Sequence, residues 1–194
     1  AESTDLCREA VELGFTSIMY DGSKLPDAQN RETTAEITAF AHEHGVSVEA
    51  ELGEVGGKNG VHDPSARTNP EDAAQFVADT GVDLLAVAVG SSHAMATREA
   101  VLDNQLIAAI HELVPVPLVL HGSSGVPDEG MVTAIQAGMT KINVSTHLNV
   151  VFTQGVRQIL DENPKIVDPR KYVGPATHLV QEEVERLMRL YAQA

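Results

Sequence analysis

Two histidines close two apolar runs, in Val89-Gly90-Ser91-Ser92-His93 and Val119-Leu120-His121-Gly122-Ser123-Ser124-Gly125. The runs, residues 84–89 and 117–120, show no polar alternation, as parallel strands covered on both faces do. In α/β folds, reacting groups collect at the carboxyl ends of such strands. Two imidazoles there can converge on one divalent cation, and a neutral imidazole nitrogen is a common zinc ligand. The second histidine opens a Gly/Ser loop whose backbone N–H groups and hydroxyls suit a phosphate. Metal and phosphate at one mouth of the fold is the chemistry these residues point to.

The elements that must position them alternate throughout. Helices are expected at residues 3–13, 26–44, 69–80, 103–113, 127–137, 146–160 and 173–193, and strands at 16–20, 46–52, 84–89, 117–120 and 141–144. Asn69-Pro70-Glu71-Asp72 carries a helix start: a capping amide, a proline and acids in the first turn. Strands each followed by a helix form either a doubly wound sheet or a (β/α)8 barrel. The count of strands falls short of a closed barrel, so residues 1–194 are expected to be a single domain, the last five βα units of a TIM barrel plus a C-terminal helix, with three leading units absent. The loop 143–146 (NVSTHL begins here) follows the last strand and opens a helix. Barrels often bind phosphate at this place and at the preceding loop.

Composition narrows the classes. The formal net charge is −15 with 21% charged residues, which argues against a nucleic-acid surface. Apolar runs stay far below the ~20 residues of a membrane span. The opening residues, Ala1 to Asp5, are acidic and polar, unlike a secretory signal. With Cys7 as its one cysteine the chain forms no internal disulfide; a cytoplasmic protein without membrane or nucleic-acid partners is expected. Cys7 reads as a packing residue on a helix.

Taken together, the segments 14–23 (GFTSIMYDGS), 47–53 (SVEAELG), 84–93 (LLAVAVGSSH), 117–125 (PLVLHGSSG), 141–146 (KINVST) and 168–172 (DPRKY) resemble the class II, metal-dependent fructose-bisphosphate and tagatose-bisphosphate aldolases, in order along the chain. The resemblance implies a (β/α)8 barrel in which His93 and His121 hold Zn2+ or another divalent metal. It implies that Asp21 and Glu51 either hold a further metal position or orient the histidines by hydrogen bonds. Glu49, two residues from Glu51, leaves the same strand face and could orient the site. A C1 phosphate would lie on Ala94, Gly122, Ser123, Ser124, Asn143, Val144, Ser145 and Thr146, with Asn143 also touching the reacting part of the sugar. The family's third metal-ligating histidine and its aspartate acid/base stand ahead of Ala1 in this alignment of motifs, so residues 1–194 on their own are expected to be inactive.

The expected reaction is reversible cleavage of a ketose 1,6-bisphosphate, fructose or tagatose, to glycerone phosphate and glyceraldehyde 3-phosphate. A related aldolase acting on another phosphorylated ketose and a non-catalytic barrel that binds a sugar phosphate are the alternatives. A Schiff-base role for Lys141, read as standing before the last strand, conflicts with the paired histidines, and a structural charge suits it better. His42, His44, His62, His111, His147 and His178 fall on helices or in loops and read as solvated or capping. The loop 56–60 (GGKNG) has Lys58 and Asn59 where relatives carry acids that help move a proton. A homo-oligomer is expected from the resemblance, with the apolar stripe Val180, Val184, Leu187 and Tyr191 facing either a partner or the barrel.

Overall fold

A computed structural model describes residues 1–53, 67–92 and 97–194. His93 and Ala94 lie outside the described residues, as do His62, Lys58 and Asn59. The chain runs α1 (Thr4–Glu12), β1 (Ser17–Tyr20), α2 (Asp27–Glu43), β2 (Ser47–Leu52), α3 (Pro70–Thr80), β3 (Leu84–Val87), α4 (Asn104–Leu113), β4 (Leu118–Leu120), α5 (Asp128–Gln136), β5 (Met139–Ile142), α6 (Thr146–Glu162) and α7 (Arg170–Ala192), with a 3-10 turn at Ser123–Gly125. The strands form one five-stranded sheet in the order β1-β2-β3-β4-β5, and every neighbouring pair is parallel. Successive strands as neighbours, each followed by a helix, is the build of a consecutive arc of a TIM barrel.

Local chemistry sets the boundaries. Ser3, Asn69 and Asp103 cap α1, α3 and α4 through their side chains, accepting the N–H of Leu6, Asp72 and Leu106, so each supplies a partner for an otherwise orphaned donor. Gly81 ends α3 in the left-handed region at φ 68°, where a side chain would be strained. The apolar face of the sheet, including Val48, Ala50, Leu85, Val87, Leu118 and Leu120, packs with Ile37, Phe76, Ile107, Ile110 and Met131 of the helices in one buried core.

The opposite face is polar, and register decides which residues share it. Glu51 pairs with Ala86, Ala86 with Val119, and Val119 with Lys141. The pleat alternates faces with period two, so Glu49, Ala88 and His121 continue this row along their own strands. Two expectations shift. The last strand runs Met139–Ile142 rather than over 141–144, because Gly138 at φ 125° turns the chain straight off α5 into the sheet. Lys141 therefore lies inside β5 and not before it. The final helix starts at Arg170, earlier than expected, and carries Pro175 within it.

Candidate functional site

His121 follows β4 and is 5% exposed, while Glu49 and Glu51 on β2 are 3% and 0% exposed. His121 Nε2 lies 2.9 Å from Glu49 Oε1 and Nδ1 lies 3.1 Å from Glu51 Oε2. Both contacts span β3, whose residues on that face there are Ala86, opposite Glu51 and Val119, and Ala88 beyond it. A methyl group there leaves the space across which an imidazole and two carboxylates meet. Lys141 Nζ donates to Glu49 Oε2 at 2.5 Å. Glu49 is thus held from two strands at once.

The charges settle one another. Burial alone disfavours a protonated His121, but the hydrogen bonds its ring donates to Glu49 and Glu51, with the negative charge of both, outweigh it and push its pKa up to about 9. Burial alone would raise the Glu49 carboxyl, yet hydrogen bonds and positive charge from His121 and Lys141 hold it below the ordinary value. Two buried carboxylates demand positive charge beyond that of Lys141. Here the His121 proton supplies it. A divalent cation could supply it equally, and the imidazole and carboxylate donors match zinc or another borderline ion. The donor set therefore fits the implied metal. Among the described residues, no three His, Cys, Asp or Glu side chains converge as a complete metal-holding group; His93 lies outside those residues.

Asp21 follows β1 on the same face, since Met19, two residues before it, pairs with Glu49. Its Oδ1 accepts from the Ser23 hydroxyl at 2.6 Å and from the Ser23 N–H at 3.2 Å, closing a tight polar turn.

The Gly/Ser loop sits directly beside His121. Gly122 is left-handed at φ 66°, and a Cβ there would stand 2.6 Å from the Ser92 carbonyl carbon. Only glycine lets this loop lie against the end of the β3 segment. Ser123 donates its hydroxyl to the Asn143 carbonyl at 2.5 Å, and Ser124 Oγ accepts the His147 N–H at 3.1 Å. The loops after β4 and β5 are thereby stitched into one surface at the carboxyl end of the sheet. Val144, Ser145 and Thr146 lie in the turn and first position of α6 on that surface.

Glu49, expected as a group that could orient the site, bonds His121 directly, and Lys141, expected as a structural charge, pairs with Glu49 from the interior row. Sequence reasoning missed one pairing. His147 is neither solvated nor a simple cap: its Nε2 lies 2.7 Å from Glu183 Oε1, with both side chains partly buried. The acid lies 36 residues away, so local spacing carried no signal for it. His42 pairs with Asp83 and His178 with Glu182, both partly exposed, in keeping with the surface roles expected of them. No described helix is long and apolar enough to cross a membrane, and Cys7 is buried in α1.

The family model described as fructose-bisphosphate aldolase class-II matches residues 1–194. A fructose-bisphosphate aldolase of Staphylococcus epidermidis is 40% identical over 189 residues, covering 96% of this chain and 66% of the relative. One from Geobacillus stearothermophilus is 39% identical over 194 residues, covering 99% and 68%. The crystal structure of the YdjI aldolase from Escherichia coli K12 superposes with a TM-score of 0.81 at 34% identity, over 97% of this chain and 66% of that one. The chain spans about two thirds of the length of these curated relatives, and its five-stranded parallel sheet is the corresponding part of a TIM barrel. Sheet order, site motifs and a match running the whole length of the chain agree, and the chain belongs to the class II fructose-bisphosphate aldolase family.

Proposed function

We propose that this chain supplies the metal- and phosphate-binding side of an aldolase that reversibly cleaves a ketose 1,6-bisphosphate, fructose or tagatose, to glycerone phosphate and glyceraldehyde 3-phosphate. The observation that carries this reading is His121, buried between Glu49 and Glu51 and followed at once by the glycine loop that abuts Ser92. His121 and His93 would hold the divalent metal, zinc suiting their nitrogen donors, with Glu51 and Asp21 as oxygen ligands or as groups that orient the rings. When bound, such a cation polarises the ketone and offsets the negative charge that develops as the neighbouring carbon–carbon bond breaks.

The chain's own residues do the rest. Glu49, braced by Lys141, fixes the His121 ring. Ala94, Gly122, Ser123 and Ser124 from one loop and Asn143, Val144, Ser145 and Thr146 from the next hold the C1 phosphate, where small residues and helix-start N–H groups allow close approach. Asn143 reaches the reacting part of the sugar. Fixing the anion in this way removes part of the entropic barrier. The proton of the C4 hydroxyl falls to the aspartate acid/base that the family supplies, for which residues 1–194 offer no matching motif. We place the enzyme in the cytoplasm as a homo-oligomer.

The test is cleavage of fructose and tagatose 1,6-bisphosphates by the complete polypeptide, before and after chelation. Activity should vanish on metal removal and return with zinc or another divalent ion. His121→Ala should lose at least about a hundredfold in kcat/KM together with tight metal binding, the order seen when groups that hold a catalytic ion are lost. Full turnover in metal-free buffer would overturn the reading.

A further inference from the structure

The two loops assigned above to phosphate are gripped from outside by the last helix. Ser145 stands at the N-cap of α6 yet makes no side-chain capping bond. The His147 N–H goes instead to Ser124 Oγ at 3.1 Å, so a hydroxyl from the neighbouring loop caps α6. His147 is therefore tied to the Gly/Ser loop by its backbone and to α7 by its ring, through Glu183 Oε1 at 2.7 Å.

The link continues beyond Glu183. Arg186, one helical turn on, donates to Glu183 at 2.8 and 2.9 Å and to Asp128 at 2.5 Å. Asp128, at the start of α5, accepts from Arg98 at 2.5 Å, and Arg98 also donates to the Val126 carbonyl at 2.9 and 3.1 Å. A chain of charge-assisted hydrogen bonds, His147–Glu183–Arg186–Asp128–Arg98, thus joins α6 to the far end of the segment 122–126. Ion pairs on open surface contribute little. This one differs at its inner end, where the His147 and Glu183 side chains are 21% and 17% exposed, against 71% and 58% for Arg189 and Glu185 on the same helix. A hydrogen bond to an ionised carboxylate partly shielded from water holds geometry more firmly.

We infer that His147 and Glu183 are positioning residues for the phosphate loop: α7 holds His147 through Glu183, and His147 holds Ser124 in the place from which that loop takes the phosphate monoester of a sugar. The inference rests on the proposed phosphate role of Ser124 and its neighbours. Neither residue touches the reacting atoms, so loss of either loosens anion binding and leaves the chemical step nearly intact.

The experiment uses the complete enzyme with fructose 1,6-bisphosphate as substrate and inorganic phosphate as a competitive inhibitor. Glu183→Ala and His147→Ala should each raise KM and the phosphate inhibition constant about five- to twentyfold, the range expected for a charged hydrogen bond lost in part, with kcat within about twofold. The double variant should show less than the product of the single effects, since both act through one contact. Glu183→Gln keeps an acceptor for His147 and should recover most of the loss, which separates positioning from failure to fold. Arg189→Ala, which removes only the exposed pair with Glu185, should leave KM unchanged. Wild-type saturation with an unaltered KM in both alanine variants overturns the inference, as does a loss confined to kcat or one matched by Arg189→Ala. A wild-type enzyme that neither cleaves the bisphosphate nor is inhibited by phosphate overturns the proposed function itself, and this inference with it.

Discussion

His121 carries its proton in a place where burial opposes charge, because Glu49 and Glu51 push its pKa up to about 9 from an ordinary 6.5. A group whose folded pKa is raised stabilises the fold fully below its unfolded value and loses that contribution as pH climbs through the folded one. Metal-free protein should therefore lose stability as pH rises from 6.5 through about 9. Glu49 works in the other direction, its lowered pKa contributing above the ordinary 4.5 and fading on acidification. Urea midpoints measured across pH should show the alkaline fall in the wild type and not in His121→Asn. Because a cation must displace the same proton, zinc affinity measured by calorimetry should rise over that range, and an affinity indifferent to pH would contradict the ligand role. Gly122 gives a second prediction at this scale. Gly122→Ala forces a side chain onto φ 66° and against Ser92, and should cost about 2–4 kcal/mol in urea unfolding. A loss near zero would mean that the loop does not abut Ser92.

The strands bring these residues within reach through two details of register. Ala86 separates Glu51 from Val119 in the row across the sheet, and its small size lets His121 and Glu51 meet over it. Ala86→Leu should overfill that space at a cost of about 1–3 kcal/mol. It should also drop the His121 pKa toward the ordinary value by parting the ring from its carboxylates, which imidazole proton resonances followed by NMR would report. An unchanged titration would show that the contact does not depend on this gap. The second detail is in β5. Leu118 pairs with Met139 but Val119 with Lys141, so Thr140 stands as an extra residue between them. Such a bulge re-aims every side chain after it. Without it Thr140 would face Val119 and Lys141 would point to the helices, away from Glu49.

Among the described residues β1 and β5 each pair with one other strand; on the outer side of β1 Ala1 bonds Met19 and Asp21 through its backbone, and the stretches of edge left open are templates for association. Close to the β1 edge in sequence, Leu6, Leu13 and Phe15 are 57%, 72% and 59% exposed, an apolar surface of the kind that a neighbouring element covers. A polypeptide of residues 1–194 alone should therefore associate at micromolar concentrations. Sedimentation velocity at several concentrations checks this, and a monomer at every concentration would contradict it. The net charge of −15 slows association through repulsion without removing the open edges.

Much of this protein lies in short-range pattern. Continuous apolar runs leading to His93 and His121 mark strands with polar groups at their mouths, and Ser3, Asn69 and Asp103 mark helix starts, because capping and alternation act over a few residues. Period two also puts Glu49 and Glu51 on one face. Local pattern stops there. The bonds His121–Glu49, Lys141–Glu49 and His147–Glu183 close over 72, 92 and 36 residues, and which partner meets which depends on strand register, a bulge and the size of one intervening side chain. Tertiary structure alone decided these, since spacing along a chain states which way a residue faces and not what stands opposite it.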